Sequence, residues 1–165
     1  SSLGFYDKSY QLMMMPVQNL THVITPVLHP VLSEFQNDKK RIFESYLKIL
    51  KVLSMIGFPL SVFLYFSAKE IITIIYGNQW GESIAAFQIL AVSIGVQIVL
   101  SSTGSIFQSA NRTDLLFLSG LLSAIIMVSG ICYGVFVGGS IEIVSKALVV
   151  AFILNFFQSF YILMI

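Results

Sequence analysis

Five stretches of the chain carry no charged residue: Ser9 to Ser33, Val52 to Ala68, Ser83 to Asn111, Leu115 to Ile141 and Ala147 to Ile165. A helix needs about 20 apolar residues to cross about 30 Å of hydrocarbon, and each stretch meets that once the second is extended back over Lys48 and Lys51. Runs such as Leu115-Leu116-Phe117-Leu118 and Ala124-Ile125-Ile126-Met127-Val128 do not alternate as membrane strands would. Only helices then satisfy the backbone in lipid. The predicted architecture is all-α, an integral membrane bundle of about five transmembrane helices. One unit covers residues 1-165, with spans over 9-33, 46-68, 83-108, 115-137 and 143-165. No internal repeat or low-complexity tract divides it.

Composition agrees with a membrane setting. Charged residues make up 10% of the chain, against roughly 25% for a soluble domain. Net charge is +1, which offers no patch for neutralising phosphates, so no nucleic-acid partner is expected. Cys132 is alone, which excludes a disulfide scaffold and a metal finger. Among apolar neighbours its thiol acts as a small hydrophobe. No Gly-rich phosphate loop, paired acidic motif or His-Cys-Asp set stands at the spacing chemistry needs, so neither an enzyme nor a cofactor is expected. The chain opens at Ser1-Ser2-Leu3 without Met and stops at Ile165 inside an apolar run; it is expected to be a piece of a longer protein.

The connections Glu34 to about Arg41, Lys69 to Glu82, Arg112 to Asp114 and Gly138 to about Glu142 are short, so neighbouring helices should run antiparallel. Six of the nine basic residues, Lys39, Lys40, Arg41, Lys48, Lys51 and Arg112, lie at the first and third connections. The positive-inside rule places those two connections in the cytoplasm. Trp80 and Tyr76, in the opposite turn, suit an interfacial anchor. The segment Glu34 to Lys51 mixes charge with Phe35, Ile42, Phe43, Tyr46 and Leu47, as an interfacial amphipathic stretch feeding the second span would.

The first span is unusually polar. At 100° per residue, Asp7, Gln11, Gln18, His22, Thr25 and His29 fall within about 60° of one another, with Lys8 beside them. Such a stripe is expensive against lipid and is expected to line a hydrated cavity; the alternative is that its groups bond across to neighbouring helices. Pro16, Pro26 and Pro30 each remove an amide donor and favour a bent axis. Two histidines without carboxylate or thiol partners at ligand spacing do not make a metal site, and none is expected. Gln97, Ser101, Ser105 and Gln108 form a weaker polar line that is read as helix contact. Gly130, Gly134 and Gly138 form a ladder for close helix packing. Glu142 and Lys146 are spaced as an i, i+4 pair. Asn155, Gln158 and Ser159 lie deeper in the last span.

These residues also carry a resemblance. The order Gly4-Phe5-Tyr6, Ser9-Tyr10, Pro16, Val27-Leu28-His29-Pro30-Val31-Leu32-Ser33 and the Asp38 to Arg41 cluster is similar to the late helices of bacterial polysaccharide flippases. So are Pro59, the stretch Ile71 to Trp80, Phe87-Gln88-Ile89-Leu90-Ala91 and Ala110-Asn111-Arg112. The chain resembles the polysaccharide transporter (O-antigen or lipopolysaccharide) family of the multidrug/oligosaccharidyl-lipid/polysaccharide exporter superfamily. The resemblance implies a two-bundle transporter in the bacterial cytoplasmic (inner) membrane, of which this is most of the C-terminal bundle. It implies an undecaprenyl-pyrophosphate-linked oligosaccharide as substrate, membrane lipid around it and the N-terminal bundle of the same full-length chain as partner. Under it, Asp7, Lys8, Gln11, Gln18, His22, Thr25 and His29 would line the path, with Asp7, His22 and His29 as candidates for ion coupling. Cationic contacts to pyrophosphate would come mainly from the other bundle, since Lys8 is the one lysine on the first helix. A drug or small-molecule antiporter of the same superfamily and a non-transporting membrane scaffold are the alternatives.

Overall fold

A computed structural model describes residues 2–33, 38–138 and 140–164. The chain is an all-α membrane bundle, without strands among the described residues. Its helices are α1 (Ser2–Ser33), α2 (Lys39–Phe66), α3 (Ala68–Tyr76), α4 (Glu82–Ala91), α5 (Ile94–Ser101), α6 (Thr103–Ser109), α7 (Thr113–Tyr133) and α8 (Ile141–Met164). A 3-10 turn at Asn78–Trp80 leads into α4, and α7 runs on as a π-helical segment over Gly134–Gly138.

By length and composition α2, α7 and α8 can each cross a membrane, and α4 with α5–α6 adds a fourth, broken span bent by 47°. With three or more such spans the chain is a multi-pass membrane protein. The polar residues of α1 hold its apolar character below that of these spans, although at 32 residues it has ample length. All three of its prolines lie inside one uninterrupted helix.

Three elements differ from the sequence expectation for local reasons. Asp38 caps α2 by accepting from the Lys40 and Arg41 amides, both at 3.1 Å, so from Lys39 onward the amphipathic stretch is the first part of the spanning helix itself, while 34–37 lie outside the described residues. Residues 68–76, expected as loop because of Lys69 and Glu70, form α3 and bury Ile72 in the core. The expected continuous span over 83-108 is instead broken at Val92-Ser93 and at Ser102. There the Ser93 and Ser102 hydroxyls bond the carbonyls of Leu90 and Val99 at 2.7 and 2.8 Å, competing with the helix ladder. Ser61 of α2 donates to the Ala91 carbonyl that the break frees.

The turn from α6 to α7 is made by Asn111, at φ 55. Its amide donates to the Gln108 carbonyl at 3.1 Å and that of Arg112 to Phe107 at 2.9 Å, the paired bonds of a Schellman stop. Asn suits this position because its side chain tolerates the left-handed region.

The core gathers Met13 of α1, Leu53 of α2, Phe87 and Leu90 of α4, Ile94 and Ile98 of α5 and Leu148 of α8. Helices approach most closely at glycines. Gly57 of α2 meets Gly95 of α5, where a Cβ on Gly95 would lie 3.2 Å from the Gly57 carbonyl carbon. On α7 and its extension, a Cβ at Gly130 would lie 3.2 Å from Ala151 Cβ, and one at Gly134 would lie 2.9 Å from Val144 Cα. The side of Gly138 lies outside the described residues. Polar contacts add to the α7–α8 seam: Ser119 and Ser159 hydroxyls are 3.3 Å apart, and Ser123 donates to Gln158 Oε1 at 3.3 Å. Glu142 and Lys146 do not pair; the ion pairs among the described residues are Arg41–Asp38 and Arg112–Asp114, both at the surface. Only 6% of the apolar stretch of α7 is buried, which leaves Phe117, Ile125 and Val128 facing outward for lipid.

Candidate functional site: an amide-lined groove between α1, α5 and α8

The expected stripe on α1 divides into two groups. Asp7, Lys8 and Gln11 cluster at the start of the helix, where Gln11 Nε2 donates to Asp7 Oδ2 at 2.9 Å and Lys8 Nζ donates to Gln11 Oε1 at 3.2 Å. A helix of 32 residues is about 48 Å long, well beyond about 30 Å of hydrocarbon, so this charged first part has room to stand in the interface. The same end is pinned to α4 through Ser83, whose Oγ donates to the Phe5 carbonyl at 3.0 Å, and through Ser9 Oγ, 3.0 Å from the Ser83 carbonyl. Trp80 packs edge-on against Phe5, with ring centroids 5.1 Å apart, and at 5.7 Å from Tyr76.

Gln18 and His22 lie further along α1, exposed on one wall of a groove of about 440 Å³. Thr21 lines it too, its hydroxyl donating to the Val17 carbonyl at 2.7 Å. The side chains of Thr25 and His29 lie outside the described residues. The opposite walls come from Gln97, Leu100 and Ser101 of α5 and from Phe152 and Asn155 of α8. Gln97 is fixed by both amide protons: Nε2 donates to Ser93 Oγ at 2.9 Å and reaches Met13 Sδ at 3.3 Å. That bond ties the groove wall to the break between α4 and α5.

Asn155 is 6% exposed, and its Oδ1 has no hydrogen-bond partner among the described residues. Three amides therefore converge on one groove, together with two hydroxyls, one imidazole and the Phe152 ring, and no Lys, Arg, Asp or Glu lines it. The grooves between α7 and α8 and between α2 and α5 are of similar size, about 450 and 420 Å³, and like this one present mostly apolar surface, but they contain no amide side chain.

Sequence reasoning assigned Gln97 and Ser101 to helix contacts, and Gln97 does bond across to Met13 of α1; it named no partner for Asn155, and all three border the groove. Ser105 is buried in α6 and Gln108 is exposed, neither at the groove. The available signal for Asn155 was an amide in an otherwise apolar span. What was missing was the helix-packing arrangement that turns α8 toward α1.

The chain is 27% identical over 116 residues to the teichuronic acid biosynthesis protein TuaB of Bacillus subtilis (strain 168), covering 70% of this chain and 24% of that protein. It is 29% identical over 113 residues to an uncharacterized membrane protein in the cps region of Klebsiella pneumoniae, covering 68% of this chain and 23% of that protein. With the lipopolysaccharide biosynthesis protein WzxC of Escherichia coli (strain K12) it shares 25% identity over 160 residues, 97% of this chain and 32% of that protein. The chain thus spans between 23% and 32% of the length of these relatives. No solved structure gives a significant match. A family described as "Polysaccharide biosynthesis protein" matches residues 1–85, a stretch that holds all of α1, with its wall of the groove, and continues through α2 and α3 into α4. With that match covering more than half of its length, the chain belongs to the polysaccharide biosynthesis protein family.

Proposed function

We propose that the chain is part of a transporter that moves an undecaprenyl-pyrophosphate-linked oligosaccharide across the bacterial cytoplasmic membrane. The observation that carries this reading is the amide-lined groove between α1, α5 and α8 inside an otherwise apolar bundle. A saccharide head is too costly to pass through hydrocarbon unsolvated, whereas its lipid tail is at home there. An amide-lined groove open along a helix face lets the head travel while the tail stays in the bilayer. Alternating access would rock this bundle against the N-terminal bundle of the same full-length chain. The basic residues orient the Glu34–Arg41 and Arg112–Asp114 connections toward the cytoplasm. The chain makes and breaks no covalent bond in this reading and is no enzyme. The printed names of the relatives, teichuronic acid and lipopolysaccharide biosynthesis, support a saccharide cargo.

Deleting the gene in its host tests the reading. Lipid-linked repeat units should accumulate on the cytoplasmic face and surface polysaccharide should fall. Normal surface polysaccharide would overturn the proposal, and altered susceptibility to cationic drugs with normal glycan would replace it with a drug antiporter.

A further inference from the structure

Resting on the transport reading above, we infer that the groove formed by Gln18, Gln97, Ser101, Phe152 and Asn155 is a subsite for an uncharged, hydroxyl-rich sugar ring, and that the pyrophosphate binds elsewhere. The first support is the unpartnered Asn155 Oδ1, buried at the groove wall. A buried acceptor without a protein partner takes a donor from whatever fills the groove, water when it is empty of cargo and a ligand hydroxyl when cargo is bound. A sugar hydroxyl donates and accepts, as an amide does; a fully ionised pyrophosphate only accepts and leaves Oδ1 unsatisfied.

The second support is charge. No Lys or Arg lines the groove, so nothing there offsets the desolvation of a pyrophosphate. Phe152, with Val17 and Leu100, supplies apolar surface for the C–H face of a ring. The volume of about 440 Å³ lies within the span of small-molecule sites, about 300–1,000 Å³.

The test uses the whole natural protein in proteoliposomes, with Cys132→Ser removing the native thiol and Ser101→Cys placing a reporter in the groove. The rate of modification by a water-soluble maleimide is measured with two probes: the lipid-linked repeat unit extracted from the deletion strain, and undecaprenyl pyrophosphate bearing no sugar. The sugar-bearing lipid should slow labelling and the bare lipid should not. Asn155→Leu should raise the concentration needed for half protection by roughly tenfold, and Asn155→Ser by less. Equal protection by both lipids, no protection by either, or undiminished protection in Asn155→Leu would overturn the subsite. The comparison of the two lipids needs no Asn155 variant, so it stands even if that variant misfolds. Accumulation of the lipid-linked unit in the deletion strain with no protection in vitro removes the subsite and leaves the transport reading intact; no accumulation removes both.

Discussion

Alanine at Gly134 should lower the stability of the protein by about 1–3 kcal/mol, the usual cost of forcing extra carbon into a packed contact. The added Cβ would lie 2.9 Å from Val144 Cα, a backbone atom of α8 that cannot swing aside as a side-chain tip can. The π-helical end of α7 would then have to move off α8, loosening the serine and glutamine contacts along the seam. Gly95 should behave in the same way at the α2–α5 crossing, where alanine would meet Phe58 Cδ1 at 2.9 Å and the Gly57 carbonyl oxygen at 3.2 Å. Gly120 provides the internal control on α7, since nothing lies within 4 Å of a Cβ added there. Alanine at Gly120 should be neutral or stabilising by up to about 1 kcal/mol through helix propensity. Thermal unfolding of the detergent-solubilised protein reads all three. A Gly134→Ala melting curve that overlays that of Gly120→Ala would contradict the close α7–α8 approach.

Lysine at Ile125 should reduce membrane insertion far more than lysine at Gln18. Ile125 lies midway along α7, is 58% exposed and faces away from the bundle. A lysine at the centre of a lipid-facing helix costs about 2.5–3.5 kcal/mol on insertion scales, and the lost isoleucine adds about 0.5. At Gln18 the new ammonium would extend into a groove already lined by amides, where water can solvate it. The yield of full-length protein in the membrane fraction distinguishes the two positions. Equal losses at both would mean that the α1 face is no more polar in its surroundings than the lipid face of α7.

The helices were legible where hydrophobicity alone decides them. The charge-free runs overlap the long helices α1, α2, α7 and α8, and the expected connection at Arg112 follows the stop that Asn111 makes by adopting a positive φ. The breaks at Ser93, between α4 and α5, and at Ser102, between α5 and α6, were not legible, because a serine interrupts a helix only when its hydroxyl takes the carbonyl three residues back. The Gly57–Gly95 crossing left no trace either, since no spacing links glycines on two helices far apart in sequence.

The candidate site was half legible. Helix periodicity put Gln18 and His22 on one face and the fold places both at the groove, but it also grouped them with Asp7, Lys8 and Gln11, which bond among themselves at the start of α1. A helical wheel has no depth along the axis, and that coordinate separates an interfacial cluster from a groove. The other two walls depend on α5 and α8 packing beside α1, a tertiary fact that residue spacing within one helix does not contain.

The central claim is that water fills this groove within the membrane. Single cysteines at Gln18, His22 and Ser101, and at the outward-facing Ile125 and Val128 of α7, are compared in the whole protein on a Cys132→Ser background. A membrane-impermeant, water-soluble maleimide should modify the three groove positions and spare the two on α7. Silence at all three groove positions, with the protein folded and in the membrane, would contradict the account.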